Sequence, residues 1–146
     1  MIIDGNMASL PITDDLSKDE VKAIQKKLEF YISQETDGEL DIPDDIHLVL
    51  KDHDGKIVGG IIAGTTLKTM YISGLWIDED YRRMRYGSKF MRKAEEIAKE
   101  IGCISGQTWV LSFQAPRFFE RLGYEIFGIS DVFPKGITEH YFIKRF

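Results

Sequence analysis

The chain has 146 residues, room for one domain of ordinary size, and 43% of them are apolar, enough for a core without metal or disulfide support. Nineteen basic against 24 acidic side chains give a net charge of −5, which argues against a basic nucleic-acid-binding face and predicts no nucleic-acid partner. No uninterrupted apolar stretch approaches the roughly 18 residues of a membrane span, and the opening MIIDGNMASL has no basic region, so neither a membrane segment nor a signal peptide is expected. Cys103 is the single cysteine, which excludes an internal disulfide and predicts a reducing, cytoplasmic setting.

In chain order, a short strand is expected around Ala8–Thr13. Ser17 and Glu20 then form an S-x-x-E capping box, with Leu16 and Val21 at the staple positions. Val21, Ile24, Leu28, Tyr31 and Ile32 recur at helical spacing behind it. The acidic stretch from Glu35 to Asp45 reads as loop. Ile46–Lys51 and Lys56–Thr66 are strands around an Asp52-His53-Asp54-Gly55 turn, whose Asp-Gly pair tolerates positive φ. Thr69–Ile77 is a third strand, dense in aromatic and branched residues. A helix is expected from about Ser88 to Ile101, with Phe90, Ala94, Ile97 and Ile101 on one face, Met91 and Ala98 beside them, and Gly102 as terminator. Cys103–Leu111 reads as strand, Pro116 opens a short helix to about Leu122, and Tyr124–Phe127 and Thr138–Lys144 form a terminal strand pair. There is no repeat, low-complexity run or linker, so residues 1–146 read as one α/β domain on a mixed sheet of six to seven strands. The strand–turn–helix–strand run in its middle is a βαβ unit of parallel strands, whose ligand site lies beyond the carboxyl end of its first strand.

The chemistry concentrates where that strand meets the helix. Leu75-Trp76-Ile77 runs into a turn holding Arg82, Arg83 and Arg85, followed by Gly87 and Ser88. The first turn of a helix offers unpaired N–H groups and partial positive charge. Arginines beside it, and a glycine that lets the backbone approach, make a phosphate cradle. The reading from residues alone is a polyphosphate-bearing ligand at the start of this helix.

This stretch resembles the acyl-CoA-binding motif Q/R-x-x-G-x-G/A of the GNAT superfamily of N-acetyltransferases, aligned as Arg82-Arg83-Met84-Arg85-Tyr86-Gly87. Ser112-Phe-Gln-Ala-Pro-Arg-Phe-Phe-Glu-Arg-Leu-Gly-Tyr124 is similar to that family's A-x-x-F-Y-E-x-x-G-F segment, and the element order matches over roughly residues 10–146. The resemblance implies a GNAT-like sheet and transfer of an acetyl group from acetyl-CoA, without metal, to a primary amine on a small molecule or peptide. It implies that Leu75, Trp76 and Ile77 pair with the pantetheine arm. Arg82, Arg83, Met84, Arg85, Tyr86, Gly87 and Ser88 would hold the pyrophosphate, and the region from Gln114 to Phe119 would face the thiol-proximal arm. A homodimer is suggested by the same analogy. The sequence departs from the family in three respects. Arg85 replaces the first motif glycine; Phe119 stands where the family commonly has the tyrosine that protonates the thiolate; and Met70–Ile77 carries no acid of the kind some members use as base. No catalytic acid or base is therefore assigned, and a CoA-binding module with weak or no turnover is the alternative.

Other candidates read more simply. Gly87-Ser88-Lys89 lacks the upstream glycine of a P-loop. His47 and His53 lie in a strand and a turn with no cysteine near in sequence, and read as structural or surface groups. His140 could reach an acceptor cleft but reads first as a half-buried strand histidine. Asp41, Asp44 and Asp45 lack calcium-loop spacing and read as a solvated loop that could attract a cationic acceptor. Glu79 and Asp80 read as partners of the arginines, Cys103 as a core thiol, and Trp76 and Trp109 as core or cleft wall.

Overall fold

The computed structural model describes residues 9–36 and 44–146. They fall into two compact units, which divide between Glu39 and Leu40. The first holds α1 (Lys18–Glu35), begun by the expected capping box. The Glu20 N–H donates to Ser17 Oγ at 3.1 Å, and the Ser17 N–H donates to Glu20 Oε1 at 3.0 Å. Residues 9–13 form no strand, and Ala8 and Asp41 lie outside the described residues.

The second unit is a mixed sheet of six strands, β1 (Asp45–Lys51), β2 (Ile57–Thr66), β3 (Thr69–Ile77), β4 (Ser105–Leu111), β5 (Glu125–Ser130) and β6 (Glu139–Arg145), in the order β1-β2-β3-β4-β6-β5. Among the described residues the only parallel pair is β3 with β4, joined through α2 (Tyr86–Glu100), which is the expected βαβ unit. A short helix, α3 (Pro116–Arg121), follows β4, and single 3₁₀ turns lie at Glu79–Tyr81 and Pro134–Gly136. The β1–β2 turn is closed by Asp52, whose Oδ1 accepts from the Asp54 and Lys56 N–H groups at 2.9 Å, with Gly55 at φ 83°. The β2–β3 turn carries no such signal. Leu67 and Lys68 both take positive φ, 51° and 59°, as a two-residue primed hairpin turn requires, although neither is glycine or asparagine.

The core lies between the sheet and α2. Ile46, Ile61, Ala63, Met70 and Ile72 from the strands meet Phe90, Met91, Ala94 and Ala98 from the helix, and Phe119, Tyr124 and Phe142 extend it toward the C-terminal strands. The helix stripe differs from the expected one at two places. Ile101 is exposed, whereas Glu95 is buried. Glu95 tolerates burial because its carboxylate is fully engaged. Tyr124 Oη donates to Oε1 at 3.0 Å, and Lys144 Nζ reaches Oε1 at 3.2 Å and Oε2 at 3.0 Å. One carboxylate thus ties α2 to β6 and to the residue preceding β5.

Removing the cation would strand that carboxylate. Lys144→Met is expected to lower stability by about 2–3 kcal/mol, at or just below the ~3–5 kcal/mol for breaking a fully buried pair, because Lys144 stays partly in water. The midpoint of urea unfolding measures it.

Candidate active site

The parallel ladder between β3 and β4 is short. It runs from Thr69 opposite Ser105 to Ile72 opposite Thr108, and then stops. At this last rung the Thr108 hydroxyl donates to the Ile72 carbonyl at 3.0 Å. The next residue, Ser73, is a β-bulge. Gly74 and Ile72 face consecutive residues of β2, leaving Ser73 unpaired in the register and its hydroxyl on the Ile62 carbonyl at 3.3 Å. An extra residue on one strand bends that strand and raises its twist. Beyond it, Gly74–Ile77 stays paired with β2, and Trp109–Leu111 stays paired with β6. The two strands part, and neither pairs with the other beyond this point. Between them lies a cleft of ≈ 860 Å³.

Chain geometry at the helix side of the cleft is unusual. Arg82 turns its Nε back onto the Ile77 carbonyl at 3.0 Å, pinning the loop to the end of β3. Arg83 and Arg85 both sit at φ 64°, and Arg85 is the N-cap of α2. The position where the motif has glycine is left-handed in this chain, and arginine occupies it against its steric preference. The helix starts at Tyr86, two residues before the expected Ser88. Its first intrahelical donor is Lys89, to the Arg85 carbonyl at 3.1 Å, and no side chain caps it. Among the described residues, nothing accepts from the N–H groups of Tyr86, Gly87 and Ser88. Three donors and the positive end of the helix are left for an anion.

Eight of the sequence-predicted residues line the cleft: Leu75, Trp76, Ile77, Arg82, Arg83, Gly87, Gln114 and Phe119. Met84, Arg85, Tyr86 and Ser88 do not line it, and Met84 projects into solvent. The bare Cα of Gly87 has a second use. A Cβ there would come within 3.2 Å of the Phe118 ring, so the glycine seats Phe118 of α3 against the first turn of α2. Gln114 is also committed locally, its Oε1 accepting from the Leu111 N–H at 3.0 Å. Phe119 is 6% exposed, packed edge-on to Phe118 and Tyr124. Tyr124 does not replace the missing phenol. Burial, and then the neighbouring Glu95 that its hydroxyl meets, push its pKa far above the usual tyrosine range, and it does not line the cleft. His140 is half-buried in β6 with Nε2 on the Thr138 hydroxyl at 3.0 Å, and Cys103 is buried with its thiol pushed up, chiefly by that burial. Glu79 and Asp80 make no ion pair with the arginines; their segment is a 3₁₀ turn capped by Asp78. Among the described residues no group of three or more His, Cys, Asp or Glu could hold a metal.

The cleft residue that the sequence did not single out is Glu139. It is the one carboxylate among the lining residues, which otherwise carry three cations, Arg82, Arg83 and Arg121. It lies in an ordinary-looking strand, and only the pairing of Glu139 with Leu111 brings it to the cleft.

Among the described residues, then, the single parallel pair of the mixed sheet splits in front of a helix N-terminus whose first amides are unpaired. Residues 11–124 match the Acetyltransferase (GNAT) family. The blasticidin-S acetyltransferase of Streptomyces morookaense is 34% identical over 92 residues, 62% of this chain and 68% of that protein. The crystal structure of an acetyltransferase from Bacillus cereus ATCC 14579 superposes with a TM-score of 0.79 at 34% identity, covering 93% of this chain and 98% of that one. The PaiA N-acetyltransferase of Thermoplasma acidophilum, solved in complex with coenzyme A, shares the fold at 17% identity, with a TM-score of 0.58 over 90% of this chain and 80% of its own. The chain belongs to the GNAT family and is an acetyltransferase.

Two substitutions test the loop. Arg85→Gly relieves a left-handed non-glycine residue at the cost of a more flexible unfolded chain, for a net gain of about 0.5–1 kcal/mol, seen as a raised melting temperature. Gly87→Ala presses a methyl against the Phe118 ring and is expected to lower stability by about 1 kcal/mol, the low end for overpacking, by urea unfolding.

Proposed function

We propose that this chain transfers the acetyl group of acetyl-CoA to a primary amine. The observation that carries the reading is the parting of β3 and β4 beyond Ile72 and Thr108, directly in front of an α2 terminus with three free amide donors. The residues fit the co-substrate. The diphosphate would lie on the Tyr86, Gly87 and Ser88 N–H groups, with Arg82 and Arg83 supplying charge. The amide-containing pantetheine arm would pair with the free edge of Leu75–Ile77, as an added strand pairs with a sheet edge. Amide donors of the strand end would then polarise the thioester carbonyl. Because Phe119 carries no hydroxyl and Tyr124 is committed to Glu95, the proton for the leaving sulfur comes through water. The name of the Streptomyces relative supports a small antibiotic-like amine as acceptor.

The test has two parts. Calorimetry is expected to give micromolar acetyl-CoA binding, and thiol release across a panel of primary amines that includes blasticidin S is expected to reveal turnover. No binding at millimolar acetyl-CoA removes the proposal. Binding without turnover on any amine leaves the chain a CoA-binding module, the reading that the bare Phe119 ring favours.

A further inference from the structure

The cleft carries a carboxylate with one oxygen that no described residue bonds. Glu139 is half-buried at the start of β6, opposite Leu111 of β4 and Ser130 of β5. Its Oε1 accepts from the Tyr141 hydroxyl at 2.6 Å. Its Oε2 has no hydrogen-bond partner among the described residues, yet is not sealed from solvent. No Lys, Arg or His nitrogen of a described residue lies within 4.0 Å of it, although three arginines line the same cleft. A carboxylate left short of a cation, with one oxygen fixed and the other free, is arranged to receive one.

Its surroundings select what kind. Residues two apart on a strand share a face, and so do residues directly opposite in an antiparallel pair. Glu139 and Tyr141 therefore share a face with Leu111 and with Trp109, which stands opposite Tyr141. On the other side β5 has a bulge at Phe127, and that ring packs on Tyr141 with centroids 6.1 Å apart. Trp109 is 45% and Phe127 57% exposed, so the strip Trp109–Tyr141–Phe127 is a half-open apolar shelf beside a lone carboxylate. Aromatic faces attract organic cations as well as burying apolar surface.

We propose that Glu139, oriented by Tyr141, binds the ammonium of the acceptor and takes its proton, and that the acceptor is a small amine whose apolar or flat part rests on the Trp109–Tyr141–Phe127 shelf. This deepens the transfer reaction proposed above and rests on it. The step balances without a further reagent. The acceptor ammonium gives one proton to Oε2 of Glu139, leaving a neutral amine. The nitrogen lone pair forms the bond to the acetyl carbon while the carbon–sulfur bond breaks, its electron pair leaving on sulfur. The second nitrogen proton goes through water to that sulfur, which departs as thiol, and Glu139 returns its proton to solvent. Glu139 is the catalytic residue of the proposal and Tyr141 a positioning residue. Besides Tyr141, the charged groups in the same cleft are Arg82 and Arg83, ahead of α2, and Arg121 of α3; at Glu139's own register, β4 and β5 present Leu111 and Ser130, which do not titrate. The Tyr141 phenol is itself held above its usual value, first by its hydrogen bond to Glu139, so it stays a donor across the working range.

Tyramine, cationic at pH 7, and 4-methylaniline, neutral there, are the probes, with acetyl-CoA affinity followed separately by calorimetry. Glu139→Gln is expected to lower kcat/KM for tyramine about 100-fold, within the range for a general base, to abolish the acidic limb of its pH profile, and to change 4-methylaniline acetylation less than about threefold. Glu139→Asp is expected to keep the limb. Tyr141→Phe removes the hydroxyl that fixes Oε1 and is expected to lower kcat/KM for tyramine about 3–10-fold, the worth of one hydrogen bond, while leaving 4-methylaniline acetylation within about threefold. Acetyl-CoA affinity is expected to stay within about twofold in all three. Equal losses on both amines, an unchanged pH profile in Glu139→Gln, or bound acetyl-CoA with no transfer to tyramine would each overturn the proposal. Failure of the unaltered protein to bind acetyl-CoA removes instead the transfer reading beneath it.

Discussion

The site depends on where one hydrogen-bonded ladder ends. Two parallel strands joined by a crossover helix would ordinarily pair along their whole length. Here they pair for four residues and stop. The break is built rather than frayed, since a side-chain hydroxyl closes the last rung at Thr108 and a bulge at Ser73 follows at once. Both separated strands remain anchored on their outer sides, by β2 and by β6, so the gap is held open by intact sheet. Unpaired backbone edges would be costly in a dry core; at a cleft they are free to bind.

The crossover helix then decides what the gap can take. Its first turn has no cap, and the residues before it reach that turn only through left-handed arginines. Conformational strain and unsatisfied donors both sit at the same few residues, a common trait of ligand sites. Phe118 joins this region to α3 across Gly87, and Arg82 joins it to β3, so the two motifs form one continuous surface. The Glu95–Tyr124–Lys144 network holds the other side of α2 to the C-terminal strands.

Much of this was legible in the residues. The βαβ unit follows from a branched, aromatic strand, a glycine-terminated amphipathic helix and another apolar strand, and local patterning suffices for each. The arginine turn was equally plain. Three features were not. Leu67 and Lys68 form a tight hairpin turn without glycine or asparagine, because the pairing of β2 and β3 over ten and nine residues imposes the geometry on them. Glu95 carries no local signal for burial, and only its two long-range partners, Tyr124 and Lys144, explain it. Glu139 was overlooked because its place in the cleft comes from a register between strands 28 residues apart, which no local pattern encodes.

The sheet order carries a consequence for biosynthesis. Among the described residues β5 has β6 as its sole strand neighbour, and β4 needs β6 to cover its outer side. As the chain leaves the ribosome, β5 emerges before its partner and must wait for Glu139–Arg145 to slot in beside it. During that wait Ile126, Phe127 and Ile129 form a bare apolar strand open to aggregation. Strand β6, made after β4 and β5, is therefore the keystone between them, and the cleft cannot acquire its far wall until synthesis has passed residue 145.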